Sequence, residues 1–559
     1  MTPKVFTTWK QRYDQVEKRR PVANTPRESR HRIAPPRHEK HHHRFASRIV
    51  LGLSSRQQLW TLLAVVGIVR LLTIGLYPLT DATEARYAEI ARKMLETGQW
   101  IVPQIDYGVP FWGKPPLSMW MTAISYKLIG VTEFAARIPS LLMGVAVCAL
   151  TYVLALRRRG INHGLRASIV VATSLLMMVS AGTVMTDPAM VLGTTLSMVG
   201  FWLALTDRSR SWGYLFFLGL AIGLLAKGPV AALLTLAPIG VWVLVCGHAK
   251  ASWNNIPWIT GALLTAALVV PWYWAAEMQS PGFLNYFLVG EHWQRYTVSG
   301  WKGDLYGAGH AHPFGTIWLY ALLGTLPWSP WLIWQLARGR AVLAVTPLRS
   351  GDGWTLYLLC WLLAPIVFFS LARNILPTYV LPGLVAFGLL VGEAWAQRHS
   401  QDPSNRILAL GIVTPALTVL LVLVWPSAGV RSQKEVVSAY RNSLQQEVAL
   451  VYYKARPDSA AFYSAGSARE IEREEQLRLY LAGATPTYVV TKGAAYAALP
   501  DDIKLSLTNV MTSQTGERML LRHEPIMQSA ELLGPVSRVV SARPDLDRPR
   551  IPDLPGVTP

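Results

Sequence analysis

The chain has 559 residues, of which 51% are apolar, only 15% are charged and 22 are tryptophan. Soluble domains carry about a quarter charged residues, so this composition excludes a set of ordinary soluble domains and points to a membrane protein. The formal charge is +20, yet residues 1–57 hold 14 Lys/Arg against 4 Asp/Glu, so half of the basicity is a tail, and no nucleic-acid partner is expected.

That tail contains Lys18-Arg19-Arg20, several prolines, His41-His42-His43 and no apolar core of a signal peptide, and it is expected to be disordered. A basic segment beside a first span sets topology and attracts anionic lipid, at about 1 kcal/mol per basic side chain near the surface. The His run lacks Cys or carboxylate partners at ligand spacing. Segments long enough to cross a hydrocarbon layer of about 30 Å follow at 58–79, 135–156, 167–185, 189–206, 212–226, 229–246, 256–275, 314–336, 353–371, 376–396 and 407–425. With weaker spans allowed for, 11–13 transmembrane helices are expected.

Arg157-Arg158-Arg159 with Arg166, the Arg338/Arg340/Arg349 loop, and Arg398 with Arg406 fall on the side of the N-terminus, which the positive-inside rule makes cytoplasmic. Loops 80–134 and 277–313 then lie outside, and so does the chain after Trp425-Pro426. Cys148, Cys246 and Cys360 stand inside apolar runs, where they read as small buried hydrophobes and form no disulfide framework.

The first outer loop opens Asp81-Ala-Thr-Glu84-Ala-Arg86-Tyr87. Apolar residues recur at 87–88, 90–91 and 94–95, the helical period, so an amphipathic helix on the membrane is predicted. Glu89, Arg92, Lys93 and Glu96 read as its solvated face. Asp81, Glu84 and Arg86 stand where a span leaves lipid, where unpaired charge is costly and function is the better reading. The loop closes on Phe111-Trp112-Gly113-Lys114-Pro115-Pro116. A compact cation between aromatics and a rigid Pro-Pro pair suits a membrane-anchored phosphate, although a snorkelling interfacial lysine fits the local pattern as well. Further along the same face come Thr186-Asp187, Ala226-Lys227-Gly228-Pro229, Glu291-His292-Trp293-Gln294-Arg295 and Arg373-Asn374-Ile375-Leu376-Pro377-Thr378-Tyr379. Charged residues at lipid depth look nearly absent elsewhere. After residue 430 the apolar runs shorten to strand length, as at Val448–Tyr453 and Thr487–Thr491, with helical periodicity around 466–482. Residues 430–542 are therefore predicted to form a small α/β domain outside the membrane that supplies no catalytic group, and 543–559 a disordered tail.

Glu84-x-Arg86-Tyr87, Trp100-Ile-Val-Pro103, Lys114-Pro115, Thr186-Asp187, Ala226-Lys227-Gly228-Pro229, Glu291-His292-x-x-Arg295 and Leu376-Pro377-Thr378-Tyr379, in order over roughly residues 55–400, resemble the bacterial lipid A aminoarabinose transferases. These are polytopic glycosyltransferases of the GT-C class, related to protein O-mannosyltransferases. The resemblance implies a GT-C membrane domain over residues 58–429 in the bacterial inner membrane. Its implied reaction moves 4-amino-4-deoxy-L-arabinose from undecaprenyl phosphate to a lipid A phosphate at the periplasmic face, by a monomer. Thr83 stands where that family often has Asp, so the acting acid is open among Glu84, Asp187 and Asp81.

An anionic leaving phosphate requires cations, and Lys114, Arg86 and Arg295, with the hydroxyls of Tyr379 and Tyr87, are the candidates to hold it. Lys227 and Arg373 are candidates for the acceptor phosphate. A phosphate acceptor is already an anion, so Glu84 and Asp187 read better as metal-positioning or amine-recognising groups, whereas a hydroxyl acceptor would demand a base. Glu84 and His292, on the two large outer loops, are candidate ligands of one divalent ion, with zinc favoured by mixed carboxylate and imidazole donors; an interfacial hydrogen-bonding role for His292 is the alternative. The competing functions are transfer of another polyprenyl-linked sugar to a protein or lipid and, from a different class, lipid transport, which internal repeats would support; none is visible.

Overall fold

The computed structural model describes residues 54–307, 310–338, 352–401, 405–424, 431–443, 448–483, 486–513 and 516–524. Nearly all of the basic tail, most of the Arg338–Arg349 loop, Trp425-Pro426 and the segment after 524 lie outside the described residues.

Each predicted span falls on helix, and the breaks have local causes. Ile161–Thr173 and Leu175–Ser180 are separated at Ser174, whose backbone is extended. Thr316–Gly324 and Trp328–Ala337 part at Thr325–Pro327. Among the described residues, six helices are long and apolar enough to cross a membrane: Glu133–Arg159, Asp187–Thr206, Pro229–Cys246, Trp258–Gln279, Pro377–Arg398 and Ile407–Val424. The protein is a multi-pass membrane protein. Asp187–Thr206 and Arg210–Lys227 run antiparallel at very short range, because glycines line the seam: a Cβ on Gly193 would stand 2.6 Å from the Gly223 nitrogen, and one on Gly219 2.4 Å from Ser197 Oγ. Small residues let membrane helices approach in this way. Here they bring the start of one helix, Asp187, to the end of the other, Lys227.

Charge is not confined to one face, contrary to the expectation. Arg70, Arg137 and Glu393 are all buried within spans. Arg137 is neutralised by Glu84, while Glu393 accepts from Trp354 Nε1 at 2.5 Å and lies 3.7 Å from Arg159.

The predicted amphipathic helix forms at Thr83–Thr97, but its polar face is not solvated. Glu89, Arg92 and Lys93 are 2%, 7% and 1% exposed. Arg92 bonds both carboxylate oxygens of Glu89, at 2.7 and 2.8 Å. Lys93 donates to the Ile105 carbonyl at 2.8 Å and lies 3.3 Å from Asp106. Strands Gln104–Asp106 and Val109–Pro110 and the C-terminal region cover this face.

The C-terminal region carries a five-stranded sheet in the order Arg469–Ile471, Ala449–Tyr453, Thr487–Lys492, Arg518–His523, Leu507–Thr512. The first two pairings are parallel and the last two antiparallel. Strand alternation sends Leu450, Tyr452, Tyr488, Val490 and Leu520 to one apolar layer with helices Lys434–Asn442 and Asp458–Tyr463; Val451, Tyr453, Val489 and Leu521 go to the other, with Glu474–Leu481 and Asp501–Leu505. The helical expectation for 466–482 is corrected in its first part, since 469–471 is a strand on the sheet edge.

Candidate functional site

At the end of the helix bundle where Asp187 and Lys227 meet lie two adjoining cavities. The polar one, about 120 Å³, is lined by Arg86, Tyr87, Lys114, Asp187, Asp304 and His310 among others, together with Lys227, Glu291, Arg295 and Tyr379. The second, about 240 Å³, shares Lys114, Lys227, Glu291, Arg295 and Tyr379 and is otherwise mostly apolar, with Met190, Val230, Leu233 and Phe369 in its wall. Five residues thus form a boundary between a charged chamber and a greasy one.

Four ion pairs organise that boundary. Lys227 Nζ lies 2.5 Å from Asp187 and 5.0 Å from the centroid of the Tyr379 ring. Asp187 opens its helix with Pro188 behind it, where the helix dipole favours a carboxylate. Lys114 Nζ lies 2.7 Å from Glu291, and the same carboxylate accepts from Arg295 at 3.1 and 3.2 Å. Arg295 also reaches Asp304 at 3.3 Å, and its buried Nε has no partner among the described residues. Burial opposes ionisation of Glu291, but Lys114 and Arg295 overcome it and hold the carboxyl below its ordinary range. The Tyr87 phenol is pushed up by burial, so it remains a donor. Glu291 sits in a π-helical turn, Tyr286–Gln294, a geometry often found at functional sites.

Of the candidates read from sequence, Lys114, Arg86, Arg295, Tyr379, Tyr87, Asp187 and Lys227 therefore meet in one place. Arg86 lines the chamber while bonding Asp458, at 3.3 Å, and the Tyr306 carbonyl. Four others do not join them. Glu84 is 3% exposed and both its oxygens are taken by Arg137, at 2.8 and 3.0 Å. Asp81 faces the C-terminal region, accepting from Ser459 N at 2.7 Å and Ser459 Oγ at 2.5 Å. Its carboxyl is pushed up to about 6 by burial. Arg373 is exposed, its guanidinium 4.3 Å from the Phe314 ring centroid. His292 lines only the apolar cavity, with Nδ1 2.7 Å from the Phe287 carbonyl and Nε2 3.2 Å from that of Lys227. Burial, with Lys114 nearby, holds its imidazole below the ordinary value.

These contacts do not fit a shared metal ion on Glu84 and His292. One carboxylate is spent on a buried arginine, both imidazole nitrogens face carbonyls, and the two residues line no common cavity. Among the described residues no group of three His, Cys, Asp or Glu side chains is arranged to hold a metal.

Glu291, Asp304, His310 and Tyr306 were missed as site residues. Glu291 was visible inside the Glu291-His292-x-x-Arg295 motif, and its i,i+4 spacing to Arg295 was the available signal. Asp304 and His310 carry none, because only the return of the 277–313 loop over the chamber brings them in.

Residues 58–287 match the family model described as dolichyl-phosphate-mannose-protein mannosyltransferase. Proteins named undecaprenyl phosphate-alpha-4-amino-4-deoxy-L-arabinose arabinosyl transferase are similar to this chain. The one from Erwinia tasmaniensis is 33% identical over 63% of this chain and 63% of its own length, and one from Pseudomonas aeruginosa is 31% identical over 66% of each. The chain thus spans just under two thirds of the length of the curated relatives it matches. Crystal structures of ArnT from Cupriavidus metallidurans share its fold at 20% identity. The one bound to undecaprenyl phosphate gives a TM-score of 0.66, covering 86% of this chain and all of that one; the apo form gives 0.62, covering 85% and 98%. The fold is GT-C, and the chain is similar in sequence to the transferases that its motifs resemble.

Proposed function

We propose that this chain is an integral-membrane glycosyltransferase that moves 4-amino-4-deoxy-L-arabinose from undecaprenyl phosphate to a phosphate of lipid A, at the periplasmic face of the bacterial inner membrane. The observation that carries the reading is the shared boundary of the two cavities. A polyprenyl phosphate sugar has a long apolar chain, an anionic phosphate and a polar sugar, in that order, and the apolar cavity, the Lys114/Arg295/Tyr379 boundary and the charged chamber follow the same order.

In the reaction the bond between the sugar C1 and the carrier phosphate oxygen breaks, and that oxygen leaves with the electron pair. Lys114 and Arg295, already anchored on Glu291, meet the growing charge without reorganising, and such preorganised donors are typically worth about 3–4 kcal/mol each. A lipid A phosphate oxygen attacks C1 as an existing anion, so it needs orientation and shielding from water more than a base. Lys227 supplies a cation for it on the Asp187 side. Asp187 and Asp304 are carboxylates suited to the ammonium of the aminosugar. No step is derived through a metal, given the contacts of Glu84 and His292.

The mannosyltransferase family match supports a second reading, transfer of a mannosyl unit from a polyprenyl phosphate to a protein hydroxyl, in which Asp187 would accept the hydroxyl proton. The two separate in one experiment. Purified protein in lipid receives synthetic undecaprenyl phosphate aminoarabinose with lipid A, or polyprenyl phosphate mannose with acceptor peptide, and the products are identified by mass spectrometry. Aminoarabinosyl lipid A is expected; mannosyl peptide in its place would overturn the first reading.

A further inference from the structure

A third cavity lies away from this site and shares no lining residue with it. It is a cleft of about 350 Å³ between helices Ser55–Thr73, Glu133–Arg159, Ile161–Thr173 and Leu175–Ser180, with Trp60, Gly67, Leu141, Val145 and Tyr152 among its walls and Arg70 at its outer end. From Trp60 to Arg70 the helix rises about 15 Å, half of a hydrocarbon layer of about 30 Å, and therefore the depth of one leaflet.

Arg70 is 6% exposed. One terminal nitrogen reaches Tyr77 Oη at 3.2 Å and the Val179 carbonyl at 3.4 Å, while Nε is buried without a partner among the described residues. Tyr77 itself donates to the Gly182 carbonyl at 2.6 Å. Among the described residues no carboxylate pairs with Arg70, whereas the nearby Arg137 is neutralised by Glu84. A guanidinium is charged at any relevant pH, and an uncompensated charge beside lipid is costly. The missing anion belongs where an acyl chain in the cleft would end.

We infer that this cleft binds one anionic phospholipid of the outer leaflet, its acyl chain along Gly67 and Val145 and its phosphate diester on Arg70. The bound phosphate braces the turn at 179–182, five residues before Asp187.

The test uses the full chain, stripped of lipid in neutral detergent. Native mass spectrometry and thermal melting then follow the addition of phosphatidylglycerol, phosphatidylcholine with the same acyl chains, or inorganic phosphate. The wild-type chain should retain one phosphatidylglycerol in at least tenfold preference to phosphatidylcholine and melt higher with it, and inorganic phosphate should do neither. Arg70→Gln should bind both lipids alike. Gly67→Leu fills the cleft from a position where an added Cβ meets nothing within 4 Å; it should lose the retained lipid without a lower melting temperature in detergent alone. Each variant is compared with itself with and without lipid, so a purely structural role for Arg70 shows as a lower baseline with an unchanged response to phosphatidylglycerol. That result, retention unaltered by Gly67→Leu, or no preference in the wild-type chain would overturn the inference. Should Arg70→Gln fail to fold, Arg70→Lys and Gly67→Leu decide it.

Discussion

Glu84 occupies the most suggestive position in the sequence, and the structure makes it a structural anion, which mutation can test. Arg137 has a fully buried side chain. It donates to both Glu84 oxygens and to the carbonyls of Ile74, Tyr77 and Pro78 at 2.7, 2.7 and 2.9 Å. Glu84→Ala leaves that cation with carbonyl dipoles and the Tyr77 ring, whose centroid is 3.8 Å away, and breaking a buried pair from one side costs about 3–5 kcal/mol. The Thr80 N–H and hydroxyl, bonded to Glu84 at 3.0 and 3.1 Å, lose their acceptor, adding about 1–3 kcal/mol if buried and unsatisfied. Against a total stability of about 5–15 kcal/mol, Glu84→Ala should yield little folded protein. Glu84→Gln keeps an acceptor for Arg137 and should fold with a lower melting temperature and turnover per folded molecule within a few-fold of normal. The assay pairs melting curves with turnover normalised to folded protein. A Glu84→Gln protein of unchanged stability whose turnover falls a hundredfold or more would refute this reasoning and return Glu84 to the chemistry.

Asp187→Asn should lower turnover by about 10²-fold, the scale of one preorganised group at a reacting centre, with melting changed less than by Glu84→Gln; equal turnover would remove Asp187 from the site. Burial raises the Asp81 carboxyl to about 6, so the folded state holds its proton more tightly than the unfolded chain does. The Asp81 contribution is therefore most favourable below about pH 4, declines between about 4 and 6, and is constant above. Melting between pH 4 and 7 should show this slope in the wild-type chain and lose it in Asp81→Asn, whereas an identical slope in both would contradict it. His292→Gln and Glu84→Gln should leave the metal-to-protein ratio of the purified chain unaltered, and a parallel loss in both would restore the shared-ion reading. Single cysteines in 80–134 and 277–313 should react with an impermeant reagent from the periplasm, and those in 157–166 should not; labelling of both sets from one side would contradict the proposed topology.

The spans and the gathering of Lys114, Asp187, Lys227, Arg295 and Tyr379 were legible because they rest on hydropathy, loop charge and motifs at span ends, all local signals. The fates of Glu84 and Asp81 were not, since their partners, Arg137 and Ser459, are 53 and 378 residues away. The same limit explains Glu89, Arg92 and Lys93. Helical periodicity shows that one face is polar, but not that the 104–110 hairpin and the C-terminal region cover it. Arg456, bonded to Asp106 at 2.7 Å, and Asp458, bonded to Arg86, show that this region is wired to the 80–134 loop, although among the described residues it lines neither cavity at the boundary.

Carrier-lipid affinity and turnover of Lys114 variants at equal expression test the central claim most directly. If Lys114 and Arg295 receive the leaving phosphate, Lys114→Ala and Lys114→Met should lower turnover by about 10²–10³ and weaken binding of undecaprenyl phosphate. Lys114→Arg should recover only part, because a planar fork cannot take the place of a compact ammonium on Glu291 without rearrangement. Near-normal turnover and affinity in Lys114→Met would make the lysine a snorkelling interfacial side chain and contradict a phosphate-binding boundary between the two cavities.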